Sequence, residues 1–172
     1  MFEHFDHTAD LGLRVRAATL EDLLADAARG LLAMHVANPE AVRPLQTRTI
    51  ELAADDPSYL LFDWLSELLY AFESEKLLIC ECEIHLTSRE GGPGREGEQG
   101  REGEAPAEPG GPPSLGTPPR ALPTALHATC RGETMDPARH IMDHEVKAIT
   151  YHGLSVAQNA DGTWQAEVIV DI

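Results

Sequence analysis

Acidic and imidazole side chains are concentrated near the start of the chain. The run from His4 to Gly12 holds two histidines and two aspartates within seven residues, directly before a predicted strand. A turn in this run would bring short polar groups together as metal ligands or as a general acid and base. The alternative is local turn chemistry, in which Asp and Thr side chains bond neighbouring backbone amides.

A second concentration of charge lies at the other end of the chain. Asp171 is adjacent to Ile172, whose α-carboxylate adds another negative group within a few ångströms. Like charges this close repel unless a cation or a donor shares them, and Ca²⁺, Mg²⁺ and Mn²⁺ prefer oxygen ligands. A solvated terminus is the alternative, but the apolar run at 168–170 predicts a strand that holds this end on a sheet.

A third candidate is the run from Arg139 to His152, which holds three histidines and one of the chain's two lysines, Lys147. If the run is a strand, Glu145, Lys147, Ile149 and Tyr151 share one side. A lysine beside carboxylates could neutralise them or contact a phosphate. It could equally form an exposed ion pair of small energetic value.

The three cysteines form the fourth candidate, with Cys80 and Cys82 on one predicted strand and Cys130 in the region that pairs with it. Two cysteines on one strand face could bind zinc. The alternation predicts that they share this face with Leu78, Ile84 and Leu86, which favours buried thiols instead. The sequence holds no phosphate-binding, dinucleotide-binding or nucleophile-elbow motif, so kinase, P-loop, Rossmann and α/β-hydrolase hypotheses have no support.

A fold must position these groups, and the composition of the chain limits which class of fold is possible. The chain has 172 residues, a net charge of −16 and 42% hydrophobic residues, which is typical of a globular protein with a real core. The negative charge argues against coating nucleic acid and suits cation binding or a basic protein partner. There is no apolar run long enough to span a membrane and no apolar leader, and three cysteines fit a reducing compartment, so we expect a cytoplasmic protein.

One segment differs in composition from the rest. Residues 89–123 hold nine of the 14 glycines and eight of the 12 prolines, with Leu115 and Leu122 as the only large apolar residues. Such a stretch buries too little apolar surface to offset its ordering entropy, so we predict a disordered insertion in one domain that spans 1–172.

Hydrophobic periodicity outside this segment predicts an α+β fold with two layers, two helices packed on a mixed, mainly antiparallel sheet. Thr19 is a predicted N-cap of a helix that ends near Met34–Val36, and Asp56-Pro57 opens a second, central helix. The predicted strands are Leu11–Arg16, Thr47–Ala54, Lys76–Thr87, Ala125–Arg131, Ala148–Val156 and Trp164–Val170, with a turn at Ala160-Asp161-Gly162 in the last hairpin.

Taken in order, five motifs resemble the archease family. Together they cover the folded part of the chain from Phe2 to Ile172, and the insertion at 89–123 contains none of their residues. They are His7-Thr8-Ala9-Asp10-Leu11-Gly12, Phe62-Asp63-Trp64-Leu65-Ser66-Glu67-Leu68-Leu69-Tyr70, Gly132-Glu133-Thr134-Met135-Asp136, Glu145-Val146-Lys147-Ala148-Ile149-Thr150-Tyr151-His152 and Val170-Asp171-Ile172.

The resemblance implies a cytoplasmic accessory protein, not a free-standing enzyme. Archeases assist the GTP-dependent RNA ligase that joins 3′-phosphate or 2′,3′-cyclic phosphate ends to 5′-hydroxyl ends in tRNA splicing and RNA repair. They promote guanylylation of the ligase and so permit multiple turnover. The resemblance also implies a calcium-type site with Asp10, Asp171 and the main-chain or terminal oxygen of Ile172 as ligands, and a functional requirement for Lys147.

If the first and last strands adjoin, the residues and the resemblance give one hypothesis: a single divalent cation, Ca²⁺ or else Mg²⁺ or Mn²⁺, lies between these carboxylates with Lys147 beside it. His7 and His152 are candidates to support the ligands. The alternatives are a stand-alone metal-dependent hydrolase that uses His152 as a base, and a chaperone-like or RNA-binding module. The charge argues against stable RNA binding, and a homo-oligomer is compatible with the sequence.

Overall fold

The computed structural model describes residues 1–7, 10–88 and 124–172 of the chain. The predicted insertion at 89–123 lies outside these described residues. Seven strands and two α-helices occur within them, with one short 3-10 helix. In chain order they are β1 (Phe2–His7), β2 (Asp10–Ala17), α1 (Leu20–His35), the 3-10 helix (Pro39–Ala41), β3 (Gln46–Ala54), α2 (Pro57–Glu75), β4 (Leu77–Ser88), β5 (Thr124–Thr134), β6 (Ala148–Gln158) and β7 (Trp164–Asp171).

The strands form two sheets, one with the order β1-β2-β7-β6 and the other with the order β3-β5-β4. The pairings within both sheets are antiparallel. Helix α1 contacts β2 and β4, and α2 contacts β3 and β6, so each helix packs on strands of both sheets. The predicted α+β class is confirmed, with the strands divided between two sheets.

Helix α1 begins and ends where the sequence predicts. The backbone of Thr19 is extended, and its hydroxyl accepts a hydrogen bond from the Asp22 amide at 3.1 Å. This bond satisfies one of the amides that have no partner in the first turn. The helix ends at His35, and most of its leucine and alanine positions are buried in the main core.

Helix α2 is the central helix, as its apolar circumference predicts. Asp56 caps it by accepting a hydrogen bond from the Ser58 amide at 2.7 Å, and Pro57 occupies its first turn. Trp64 is fully buried, and its indole N–H donates to the Leu24 carbonyl of α1 at 2.9 Å. This bond joins the two helices and satisfies the polar atom of the largest buried side chain.

The start of the chain forms a strand that the sequence analysis does not predict. Residues 2–7 form the edge strand β1, which pairs with β2 along its whole length. The alternation of apolar and polar residues does not indicate this strand, because one large apolar residue lies on each face. Phe2 points toward the core and Phe5 lies on the other face. His4 is also used structurally, since its Nε2 lies 3.0 Å from the Gly30 carbonyl of α1.

The predicted single apolar face of β4 is wrong because the strand contains a β-bulge. The register shifts between Ile79 and Glu81, which leaves Cys80 as the extra residue. Leu78 and the bulge residue Cys80 pack in a small cluster around Val36. Beyond the bulge, Cys82 packs against the main core. One inserted residue reverses the alternation of the strand, so a strict period of two cannot assign both halves.

The last hairpin agrees with its prediction. The Gly162 amide donates to the Asn159 carbonyl at 2.9 Å, and Gly162 has a positive φ of 83°.

A second irregularity lies in β6, between Thr150 and Ser155, where the residues of β6 outnumber those opposite in β7. Tyr151, inside this irregular stretch, stacks on Phe62 of α2 with ring centroids 3.7 Å apart. Within the described ranges, neither helix is both long enough and apolar enough to cross a membrane.

His35, the last residue of α1, is buried in an apolar setting. It is 3% exposed, its ring centroid lies 4.4 Å from that of Phe72, and neither ring nitrogen has a hydrogen-bond partner among the described residues. Burial, reinforced by the positive charge of Lys76, lowers the pKa of His35 to about 4. The side chain is therefore neutral in the folded protein at neutral pH.

The burial of His35 predicts a pH-dependent stability. Because its folded pKa lies below the unfolded value of about 6.5, the unfolded chain binds the extra proton first as the pH falls. The free energy of unfolding should therefore decrease by about 3 kcal/mol between pH 6.5 and pH 4 through this one group. Urea denaturation across this range should show a shallower pH dependence for His35→Leu than for the wild type. His85→Leu, at an exposed surface position, is the control, and an unchanged slope in His35→Leu would contradict the assignment.

Candidate functional site

The two predicted aspartates lie in one row at the end of the four-stranded sheet. The register pairs Leu11 of β2 with Val170 of β7, so one further step along the same ladder places Asp10 opposite Asp171. Asp171 is paired in turn with Ala148 of β6. We call these residues, with His7 of β1 opposite Asp10, the end row.

Strand alternation places both aspartates on the outer face of the sheet. Leu13 of β2 and Val168 and Val170 of β7 are buried in the core, so Asp10 and Asp171 point away from it. Asp171 is exposed and Asp10 is half-buried. Opposite side chains in such a pair have Cβ atoms about 4.5 to 5.5 Å apart, at which two carboxylates repel. A cation shared between them removes that repulsion.

The next row of the outer face is apolar and closely packed. Phe5 of β1 is opposite Gly12 of β2, which is opposite Ile169 of β7. A Cβ atom at Gly12 would overlap the Phe5 ring. The motif residue Gly12 therefore provides space for an aromatic side chain beside the end row.

A third row consists of ion pairs between side chains of three adjacent strands. Arg14 donates to Glu3 of β1 at 2.7 Å and to Glu167 of β7 at 2.9 Å. These hydrogen bonds raise the pKa of Arg14 above its usual value. Its guanidinium carbon lies 4.8 Å from the Phe5 ring centroid, so the ionic row also covers the apolar row.

The main chain of Lys147 is hydrogen-bonded to the end row. Its amide donates to the Asp171 carbonyl at 2.8 Å, one residue before β6 begins. Its side chain is exposed, whereas Val146 before it and Ile149 two residues on are buried. Lys147 is thus a neighbour of the end row at the rim of the sheet.

A buried polar cluster, which sequence reasoning missed, fixes the loop that leads to Lys147. Glu133, at 5% exposure, accepts hydrogen bonds from the Arg43 amide at 2.7 Å, from Arg139 and from His140 Nε2 at 3.3 Å. Burial alone would raise the pKa of Glu133, but the bonds from Arg139 and the Arg43 amide hold it below its usual value. His140 Nδ1 accepts from the Asp136 amide at 2.9 Å, which leaves Nε2 protonated to donate to Glu133.

Backbone bonds then hold the same loop along the end of α1. The Asp143 amide donates to the His35 carbonyl at 2.9 Å, and the His144 amide donates to the Met34 carbonyl at 3.0 Å. Val146, next to Lys147, is buried. These bonds and the burial of Val146 fix the backbone of the loop up to Lys147.

The two histidine candidates differ in position. The backbone of His7 lies opposite Asp10, and its side chain is outside the described part of the molecule. His152 is exposed within the irregular stretch of β6, four residues from Ala148. At a rise of about 3.3 Å per residue this separates His152 from the end row by roughly 13 Å along the strand.

The donor set of the end row is small and composed of hard oxygens. In the described part of the chain, no three His, Cys, Asp or Glu side chains form a group that could hold a metal. The end row offers two aspartates, with the main-chain or terminal oxygen of Ile172 adjoining them. Oxygen donors of this kind fit Ca²⁺ or Mg²⁺, which complete their coordination with water, and do not suit a zinc site built from thiolate and imidazole.

Fold and site together define a small α+β protein in which the first and last motifs of the chain meet on one sheet. A model described as the Archease protein family matches residues 2–104 and 120–172. The chain belongs to the archease family. The internal residues left unmatched, 105–119, fall within the segment predicted as an insertion.

Individual relatives agree with this assignment along nearly the whole chain. The chain is 32% identical over 171 residues to Protein archease of Methanopyrus kandleri, covering 99% of each chain. It is 29% identical over 171 residues to Protein archease of Thermococcus kodakarensis, covering 99% of this chain and 98% of the relative. Protein 1598 of Methanobacterium thermoautotrophicum, solved in solution, is similar with a TM-score of 0.72 and 25% identity, covering 99% of this chain and 98% of that one.

The packing of Phe5 on Gly12 can be tested by a double-mutant cycle. Gly12→Ala should destabilise the protein by about 1–3 kcal/mol, because the added methyl group displaces the ring or the strand that carries it. In a Phe5→Ala background the same change should cost much less, since the overlap is gone. Additive losses in urea denaturation would contradict a direct contact.

Proposed function

We propose that this protein is an accessory factor of the GTP-dependent RNA ligase, promoting its guanylylation and multiple turnover in tRNA splicing and RNA repair. The observation that carries the proposal is the end row of a chain of the archease family, in which Asp10 lies opposite Asp171. These two residues are separated by almost the whole sequence, and one further step of the β2–β7 register sets them opposite one another on the outer face of the sheet.

We propose that Asp10, Asp171 and an oxygen of Ile172 hold one divalent cation, preferentially Ca²⁺, with Mg²⁺ or Mn²⁺ as alternatives. When bound, the cation supplies positive charge that offsets the clustered carboxylates and can meet an anionic group on the partner. The protein's own contribution is the rigid spacing of its ligands. Asp10 and Asp171 lie on adjacent strands whose register is fixed by the buried residues beside them.

Lys147 is proposed to contact a nucleotide phosphate when the ligase docks. Its backbone is held to the end row by the bond to Asp171, while its exposed side chain stays free to reach outward. A lysine ammonium suits this role because it is a compact charge on a flexible stem. The site would thus present a cation and an ammonium group together at the rim of one sheet.

The net charge supports a protein partner and not direct binding to RNA. At −16 the chain repels a phosphate backbone and attracts a basic surface. The proposal therefore places the RNA and the nucleotide on the ligase. It describes an activator of an enzyme; phosphoester hydrolysis by this protein alone would favour a stand-alone hydrolase instead.

The proposal predicts a specific pattern in a ligase assay. Asp10→Asn and Asp171→Asn should abolish stimulation of multiple-turnover guanylylation and RNA joining, and should weaken Ca²⁺ binding at least about tenfold by removing ligand charge. Lys147→Ala should lose stimulation while keeping Ca²⁺ affinity. The measurements are ligase turnover with and without the protein, and calorimetric titration with Ca²⁺.

Two substitutions provide matched controls. Asp6 is opposite Leu11, whose side chain packs on the core, so it lies on the other face from Asp10. Lys76, the only other lysine, caps α2 far along the chain from the end row. Asp6→Asn and Lys76→Ala should retain both the stimulation of ligase turnover and the affinity for Ca²⁺. Full stimulation by Asp10→Asn and Asp171→Asn would refute the proposed role of the end row.

A terminal extension tests the third ligand. Adding residues after Ile172 converts its carboxylate into a peptide and removes one negative charge from the site. If the terminal oxygen binds the cation, Ca²⁺ affinity should fall, while an equal extension before Met1 should leave it unchanged. Equal affinities in titrations of the two extended forms would exclude the terminal carboxylate as a ligand.

A further inference from the structure

Two of the three thiols are in contact across adjacent strands. Cys82 of β4 is opposite Cys130 of β5, and the Cys82 thiol donates to Cys130 Sγ at 3.0 Å. Opposed residues in an antiparallel pair have Cα atoms about 4.5 to 5.5 Å apart. This lies inside the range of about 4.4 to 6.8 Å found in disulfides, so the two sulfurs can bond without a backbone movement.

Only one of the two sulfurs is open to a reagent. Cys130 is fully buried in the main core, whereas Cys82 lies on the edge strand of its sheet and is half-buried. Cys82 lines a surface cavity of about 350 Å³. The other lining residues are Arg29, Glu81, Glu83, Thr129 and Arg131.

We propose that Cys82 and Cys130 form a thiol–disulfide exchange site whose substrate is a small anionic disulfide of the glutathione type. Arg29 of α1 and Arg131 of β5 line the cavity, and each forms an ion pair, with Asp26 and Glu81 respectively. A carboxylate of the reagent would bind here by taking the place of these acidic partners. Cys82 is the attacking residue, since it is half-buried on the edge strand whereas Cys130 is fully buried. Cys130 is the resolving residue behind it.

The exchange balances in two steps. The Cys82 thiolate attacks one sulfur of the glutathione disulfide, forms a mixed disulfide and releases one glutathione thiolate, which takes up the proton lost by Cys82. The Cys130 thiolate then attacks the Cys82 sulfur and displaces the second glutathione, which takes up the Cys130 proton. Two protein thiols are oxidised by two electrons, and one glutathione disulfide is reduced to two glutathione molecules.

The surroundings make the exchange slow at neutral pH. The hydrogen bond with Cys130 and burial raise the pKa of Cys82, and the charge of Arg29 opposes them only in part. The charged groups around the cavity are Glu81 and Glu83 of β4, Arg29 and Arg131. Since the thiolate is the reactive form, the rate should rise about tenfold per pH unit over the range below the thiol pKa.

The new bond would connect the two strands that flank residues 89–123. It would close a loop of roughly 50 residues in the unfolded chain, which restricts the unfolded ensemble. The oxidised form should therefore melt at a higher temperature than the reduced form, by on the order of 10 °C.

The experiment is incubation of the reduced full-length chain with oxidised glutathione at about pH 7 and about pH 9, with the reaction stopped by alkylation. Intact mass should show the loss of two hydrogens and one remaining alkylated thiol. Peptide mapping should find Cys82 joined to Cys130. The melting temperature should rise and return to its original value on reduction.

Cys80 provides the matched control, because the bulge places it on the other side of the same strand. Cys80→Ala should still form the cross-link, whereas Cys82→Ala and Cys130→Ala should not. Cys130→Ala should instead stop at a mixed disulfide on Cys82. A wild-type protein that keeps three alkylatable thiols under both conditions, or a cross-link mapped to Cys80, would overturn the proposal without relying on the folding of any variant.

Discussion

The pairing of β2 with β7 is the constraint on which the rest of the site depends. It joins the first and last motifs of the chain in the middle of a four-stranded sheet. The same register buries Leu13 and Val168 and leaves Asp10 and Asp171 on the outer face. A slip of one residue would turn one strand over, moving buried valines into water and an aspartate into the core. The hydrophobic effect therefore fixes the spacing of the two carboxylates, although neither carboxylate contributes to the core.

Local signals were sufficient to predict most of the elements. Thr19 and Asp56 cap their helices as their residue types predict, and the last hairpin turns at Gly162. The two failures have a shared cause, because period-two alternation assumes an uninterrupted strand with one apolar face. β1 carries an aromatic residue on each face, and β4 contains an extra residue at Cys80. Both features are set by what packs against the strand, Gly12 in the first case and the small cluster around Val36 in the second.

The site was predictable only in part. The residues at each end of the chain suggested oxygen ligands, but their proximity depends on a pairing between strands that are nearly 160 residues apart in sequence. The resemblance supplied that link. Glu133 could not be assigned a role from its neighbours in sequence, because its partners come from Arg43, Arg139 and His140. The run that the sequence shows as rich in histidine begins, in the fold, as a loop fixed by the buried carboxylate of Glu133.

The acidic end row and the pair of cysteines both arise from antiparallel strand register, but they differ in their access to solvent. Each contains two like residues placed opposite one another by strand register, Asp10 with Asp171 and Cys82 with Cys130. The aspartates face outward, where water and a cation can reach them, while Cys130 lies in the core and Cys82 at its edge. The pairs belong to different sheets, so a cross-link between β4 and β5 leaves the β2–β7 ladder untouched. Oxidation of the thiols should therefore alter the stability of the fold more than the proposed binding of a cation at the end row, because only the stability depends on the unfolded chain.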